Sequence, residues 1–372
     1  MNRRRKPWPC LILLAIACTL AAWIIYIVAA QPRSLLDSAT RAAYVGNWYG
    51  VSANHPENGA PFCWISDQEI LGARDEGTRQ RLVRKRLNGT EQALLVTVPT
   101  RGYTWLLSPD RKMVQWADVA NPQMTVGSAL PTDFERVSTL DGHVLVERTT
   151  EQRPIWGAQS DSLFYMEHGT WDLLSRTRMD PVLHRLDLAA GRVVGFHLGG
   201  MPPLLQNAAP FTTVRPLAQT PDGRILILQC GIPKTPKYST SYRCALFDLN
   251  HPSEPVESWQ MDQPQGSIRS DLYPSPDGQR ILWVSYDTVT VSSITRFLSR
   301  WIPAMRTSPR TRVRLCVSDI HSHGMREIGR YIATDISNRP SYSMRYIMPS
   351  WSPDGSKIGF VFNSYLYTLP AK

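Results

Sequence analysis

His321 and His323 stand two residues apart beside Asp319. On a strand, alternate side chains point the same way, so this trio has the spacing of a metal-ligand set. The same residues fall where a hairpin turn is expected, and a turn accounts for them without a metal. Six aspartates recur along the chain, Asp67, Asp110, Asp161, Asp222, Asp277 and Asp354, at intervals of 43 to 77 residues. Carboxylates suit calcium, but a single one per interval is the spacing of a repeated turn. Trp64, Trp105, Trp156 and Trp351 could stack on sugar rings; at positions locked to a repeat they read as packing between repeats. Cys230 and Cys244 end one strand-like run and begin the next, and a hairpin could bring them to disulfide distance. Cys63 and Cys316 have no evident partner. Asn88-Gly89-Thr90 has the form of a glycosylation sequon and reads as a turn. There is no G-x-S-x-G elbow, phosphate-binding loop, dinucleotide fingerprint or H-E-x-x-H pair. No catalytic, cofactor-binding or metal-ligating residue is assigned.

The elements around these residues repeat. Thr220-Pro221-Asp222-Gly223, Ser275-Pro276-Asp277-Gly278 and Ser352-Pro353-Asp354-Gly355 are strict copies of one pattern, and Ser108-Pro109-Asp110 carries Arg111 in place of Gly. Ser66-Asp67 and Ser160-Asp161 keep two letters of it. Proline presets φ, aspartate accepts backbone N–H bonds and glycine takes the positive-φ position, so each copy is a tight turn. An apolar strand-like run follows every copy, as in Ile225–Leu228, Ile281–Val284 and Ile358–Val361. A large apolar residue stands shortly before each: Trp64, Trp105, Trp156, Leu217, Tyr273 and Trp351. A second landmark, an outer hairpin, appears at Leu87-Asn88-Gly89, Leu140-Asp141-Gly142, Asp187 with Gly191, Asp248, and Asp319 with Gly324.

Strands around S-P-D-G followed by an outer hairpin of the type L-x-D-L-x-x-x-G resemble the TolB-like β-propeller repeats, a WD-type repeat of exported bacterial proteins. The resemblance covers roughly residues 43–372. It implies an all-β, six-bladed β-propeller with a central channel that serves protein–protein contact. The last repeat holds only two recognisable strands, Ile358–Phe362 and Tyr365–Leu369, before the chain stops. Ala43–Tyr49 is the expected outer strand that completes it and removes two open sheet edges.

The chain has 372 residues, 42% hydrophobic and 19% charged, with 29 Pro and 23 Gly. That excludes disorder and a coiled coil. Net charge is +10, but Arg3, Arg4, Arg5 and Lys6 contribute four of those charges ahead of the first apolar run. The remainder is only mildly basic and makes no case for nucleic acid. Residues 10–30 are uncharged and long enough, at ~1.5 Å per residue, to cross a ~30 Å hydrocarbon core. The expected organisation is a cytoplasmic basic segment 1–9, a transmembrane signal-anchor 10–30, a tether 31–42 and a propeller 43–372. The positive-inside rule then places the propeller outside the cytoplasm, in the cell envelope. Two competing readings are cleavage after Val28-Ala29-Ala30, which would release a secreted or periplasmic form, and a lipoprotein at Cys18.

The fifth repeat carries an insert near 288–311. Residues 288–318 contain no Asp or Glu and six Arg, including Arg296 and Arg300. Ile294, Phe297, Leu298, Trp301 and Ile302 form an amphipathic helical stripe, capped by Ser292 or Ser293 and followed by Pro303. Arg296, Phe297, Arg300, Trp301 and Ile302 are therefore the candidate surface for an envelope protein or a membrane surface. The bland alternative is a helix packed on the propeller wall. Two functions stand: a membrane-anchored, non-catalytic interaction module, or a propeller that acts on carbohydrate or peptide at the channel mouth. A cluster of inward carboxylates or histidines would favour the second.

Overall fold

A computed structural model describes residues 38–45, 48, 62–76, 79–99, 105–119, 133–150, 154–166, 182–200, 212–231, 241–261, 267–289, 310–321, 324–334, 349–362 and 364–371. The apolar segment 10–30 lies outside them. No helix among the described residues is long and apolar enough to cross a membrane.

The strands fall into six four-stranded antiparallel sheets. After β1 (Thr40–Tyr44) come β2 (Cys63–Ser66), β3 (Glu69–Asp75), β4 (Arg79–Arg86) and β5 (Glu91–Pro99), which form blade 1. Blade 2 is β6 (Leu106–Leu107), β7 (Met113–Val119), β8 (Asp133–Thr139) and β9 (Val144–Thr150). Blade 3 is β10 (Ile155–Trp156), β11 (Ser162–Met166), β12 (Val182–Asp187) and β13 (Val193–His197). Blade 4 is β14 (Thr212–Gln219), β15 (Ile225–Gly231), β16 (Ser241–Phe247) and β17 (Glu257–Gln260). Blade 5 is β18 (Ser267–Pro274), β19 (Arg280–Val289), β20 (Arg310–Asp319) and β21 (Met325–Thr334). Blade 6 is β22 (Ser350–Trp351), β23 (Lys357–Phe362) and β24 (Tyr365–Pro370), with β1 added as its fourth strand.

The second strand of each blade is buried on both faces, which is why it reads as a continuous apolar run. In β15, Ile225 and Ile227 pack with Phe164 and Met166 of blade 3, while Leu226 and Leu228 pack with Ile281 and Trp283 of blade 5. In β19, Leu282 and Val284 turn the other way, onto Ile358 and Phe360 of blade 6. Val361 and Leu366 of blade 6 meet Ile70 and Val83 of blade 1. Leu71 and Leu82 meet Leu107 and Val114 of blade 2, and Val137 meets Leu163 of blade 3. The apolar clusters thus occupy the spaces between consecutive blades and run right round, from blade 6 back to blade 1. The result is a six-bladed β-propeller.

The closing strand lies earlier than the sequence places it. It is Thr40–Tyr44, antiparallel to β24, and not Ala43–Tyr49. Ala43 and Val45 are buried, and Val45 N–H donates to the Ser364 carbonyl at 2.8 Å, after which the chain leaves the sheet. Trp48 then crosses to blade 1, where it bridges to Arg74. Its ring fills the space over Gly72: a Cβ there would lie 2.4 Å from the indole carbons. Gly359 of β23 makes the same allowance, 2.9 Å from the Phe62 ring. The insert is also shorter than 288–311, because Thr288, Val289, Arg310 and Thr311 are paired strand residues of β19 and β20.

Candidate functional site

The repeated turns join the first and second strands of each blade at one end of the ring. In the turn of blade 6, Ser352 N–H donates to the Lys357 carbonyl and Gly355 N–H to the Ser352 carbonyl, both at 2.9 Å. Ser352 Oγ donates to Asp354 Oδ1 at 2.6 Å and accepts from the Lys357 amide at 2.9 Å. Ser275 with Asp277, Thr220 with Asp222, and Ser108 with Asp110 repeat the hydroxyl–carboxylate bond. The hydroxyls of Ser352 and Ser356, then the Ser356 amide, hold the Asp354 carboxyl down at about 2. The Thr220 hydroxyl lowers Asp222 in the same way. At Asp110, burial pushes upward, but the hydrogen bonds from Ser108, Lys112 and Ser160 outweigh it. Hydrogen bonds of the turns, with Ser160 of blade 3 added at Asp110, thus account for these carboxylates as turn residues.

Asp354 is exposed, so its contribution to stability is small but has a definite sign. A carboxyl held low in the folded state contributes above its unfolded pKa of about 3.9 and loses that contribution as pH falls toward 2. Asp354→Ala is expected to melt below the wild type at pH 5, with the gap narrowing steadily to pH 2. Thermal unfolding across that range checks it; a constant gap would mean that the charge contributes nothing.

The two degenerate turns are out of register with the sequence reading. In blade 3 the positive-φ residue is Ser160, and its N–H donates to the Gly157 carbonyl. Gly157 therefore takes the place of Ser352, and Gln159, not Asp161, that of Asp354. In blade 1, Trp64 pairs with Ile70 and Ser66 with Glu69, leaving a two-residue turn at Asp67-Gln68. Neighbouring turns touch. Asp110 N–H donates to Ser160 Oγ at 2.9 Å, Ala158 N–H to Gln219 Oε1 at 2.9 Å, and Arg280 Nη2 to the Gly355 carbonyl at 2.8 Å. His321 lies in the outer hairpin at the same end. Its N–H donates to Asp319 Oδ1, and its ring Nε2 is 2.8 Å from Gln279 Oε1. His323 lies outside the described residues.

The tryptophans join blades. Trp64 Nε1 donates to the Ser350 carbonyl at 3.3 Å, Trp156 to Leu106 at 3.4 Å and Trp351 to Tyr273 at 3.0 Å, each on the inner strand of the preceding blade. Trp64, Trp105, Trp156 and Trp351 are all buried, so none presents a ring face to a sugar.

The disulfide expectation fails on register. Cys230 pairs with Tyr242, and Cys244 with Leu228, so the two are diagonal neighbours. Diagonal positions lie roughly 7–8 Å apart, beyond the reach of an unstrained bridge. Cys244 is a free thiol in the cluster between blades 4 and 5, and burial pushes it up to about 12. Cys316 shares that cluster and is likewise raised by burial to about 12.

Arg296, Phe297, Arg300, Trp301 and Ile302 lie outside the described residues; the strands that carry them do not. β19, β20 and β21 are ten residues each, the longest among the described strands. The connection leaves after Val289 and returns at Arg310, at the end of the propeller opposite the S-P-D-G turns. Arg312 and Arg314 of β20 stand opposite Ile332 and Arg330 of β21. Arg330 is ion-paired with Glu327 at 2.5 Å, and Asp287 of β19 stands opposite Arg312, so acidic residues share this sheet with the arginines.

A separate cluster was missed in the sequence. On the outer edge of blade 6, the Arg41 guanidinium lies 4.3 Å over the Tyr365 ring, and the Tyr44 ring is 5.1 Å from Tyr365. Only the alternation of Ala43 and Tyr44 hinted at it.

The sequence matches no protein-family profile. No curated relative matches either. Among solved structures, TolB from Acinetobacter baumannii aligns at 12% identity and TM-score 0.42, over 82% of this chain and 64% of that one. An oligogalacturonate lyase from Vibrio parahaemolyticus aligns at 13% identity and TM-score 0.44, over 83% and 76%. The β-propeller domain of the Trilobed protease from Pyrococcus furiosus aligns at 13% identity and TM-score 0.39, over 82% and 79%. This chain therefore spans under two thirds of the TolB chain. Nothing about activity follows from likenesses of this size; the propeller rests on its own strand pairing.

Proposed function

We propose that the chain is a membrane-anchored, extracytoplasmic interaction module without catalytic activity of its own. Residues 10–30 hold it in the membrane, and the connection 290–309 presents its binding stripe. The observation that supports this best is the extension of blade 5. The ten-residue strands β19 and β20 bracket a basic, acid-free connection at the end of the blade opposite the repeated turns, and β21, equally long, pairs with β20. Phe297, Trp301 and Ile302 would meet the partner, with Arg296 and Arg300 at the border adding a salt-dependent attraction. The alternative, action on a carbohydrate or peptide at the channel mouth, is separated by the same experiment. The full chain and its Phe297→Ser/Trp301→Ser variant are recovered from membrane fractions and used to capture envelope proteins. The expected result is an intact N-terminus, unchanged melting, and a protein partner bound by the wild type and lost by the variant. A soluble form beginning at Gln31 would overturn the anchor. A large loss of melting temperature with unchanged binding would make the stripe a structural patch, and a bound glycan or peptide would favour the alternative.

A further inference from the structure

We propose that the outer edge of blade 6, at Arg41, Tyr44 and Tyr365, rests in the headgroup layer of a bilayer. This inference rests on the anchored reading above. Tyr44 is 57% exposed although it lies in a paired strand, and it is the most exposed aromatic side chain among the described residues with large hydrophobic exposure. Its ring is not alone: Tyr365 packs against it at 5.1 Å, and the Arg41 guanidinium covers Tyr365 at 4.3 Å. Two phenol rings beside one guanidinium suit a surface that is apolar below and anionic above. Tyrosine places its ring at the depth of the lipid carbonyls with its hydroxyl in water, and arginine reaches phosphate with its head while its stem stays apolar.

The chain's own connectivity selects the bilayer over other occupants. The apolar run ends at Ala30, and residues 31–39 separate it from β1. Fully extended, that link spans at most about 30 Å. β1 itself, five residues long, covers about 17 Å. The link enters β1 at Thr40, the end opposite Tyr44, and its reach exceeds the length of that strand, so an anchored segment leaves Tyr44 able to meet the membrane surface at high local concentration. The neighbourhood agrees. Tyr365 opens β24 just after the turn that joins the second and third strands of blade 6. The basic connection of blade 5 joins the second and third strands of its own blade, so it leaves the ring at the same end.

The test is hydroxyl-radical footprinting of the full chain in nanodiscs containing anionic phospholipid, read by mass spectrometry, beside the Arg41→Glu variant. Val256, 55% exposed on blade 4, serves as the internal reference. Modification of Tyr44 is expected to be several-fold lower in the wild type than in Arg41→Glu, with Val256 unchanged and equal melting of the two proteins. Equal modification of Tyr44 in both, while both stay in the nanodisc, overturns the docking and leaves the anchor standing. A chain that elutes free of lipid overturns the anchor and this inference together. Protection of Tyr44 that is lost on dilution without lipid assigns the patch to a second copy of the chain and overturns the bilayer.

Discussion

Removal of residues 38–48 is expected to abolish cooperative unfolding, leaving a chain that aggregates at ambient temperature. The strand removed is the fourth member of blade 6, and without it β24 becomes an open edge. The loss extends beyond one strand. Ala43, Val45 and Trp48 belong to the same apolar cluster as Ile70 and Val83 of blade 1 and Val361 and Leu366 of blade 6. The deletion therefore opens the space between the first and last blades as well as the edge. Truncating Trp48 alone to Ala should cost about 3–5 kcal/mol, the range for a buried large aromatic. Thermal unfolding followed by circular dichroism decides: a melting temperature within a few degrees of the full chain would mean that the ring is held shut elsewhere.

Gly72→Ala is expected to destabilise the propeller by about 3 kcal/mol or more, at the upper end for overpacking. The new methyl would sit 2.4 Å from two carbons of the Trp48 ring, in a strand paired with β4 at Gly72 itself and with β2 up to the preceding residue, Leu71. Neither partner can move cheaply. The backbone is held by its pairing with Val83, and the indole is buried between blades. The effect should be conditional. In a Trp48→Ala background the methyl enters space the indole vacated, so the second substitution should cost about 1 kcal/mol or less. A denaturant-unfolding cycle over the four proteins measures the coupling. Additive losses would show that Gly72 matters for its backbone and not for the tryptophan.

The strict turns could be read directly because their requirement is local: a hydroxyl, a carboxylate and a residue able to hold positive φ. Blades 4 to 6 meet it with Gly223, Gly278 and Gly355. Blades 2 and 3 meet it with Arg111 and Ser160, which are left-handed without being glycine, so the letter pattern blurs while the backbone stays. In blade 3 the carboxylate is replaced outright. Gly157 leaves room for Ser162 Oγ, which donates to Asp161, and the blade-4 side chain Gln219 accepts the Ala158 N–H. A motif search finds the nearby Ser-Asp and lands two residues late. The closing strand failed for another reason. Ala43, Val45 and Trp48 are all buried in the one cluster between blades 6 and 1, but Ala43 pairs into blade 6 whereas Trp48 bridges to Arg74 of blade 1, and a local pattern of burial does not tell which sheet a residue joins. The diagonal placement of Cys230 and Cys244 depends on hairpin register, which their spacing alone leaves open. Arg41 and Tyr365 meet only because the ends of the chain do, so no local window contains the pair.

Closure by the first strand also sets a timetable for biosynthesis. Thr40 and Thr368, hydrogen-bonded across the seam, are 328 residues apart. At roughly 5–20 residues per second, the ribosome needs on the order of tens of seconds to deliver the partner after the strand has emerged. Through that interval β1 is finished but unmatched, and the later blades form around a gap. The cell must therefore guard one short segment, Thr-Arg-Ala-Ala-Tyr, for the whole of synthesis. A nascent chain stalled before β24 would be left as an open arc with its seam exposed, a natural substrate for quality-control proteolysis.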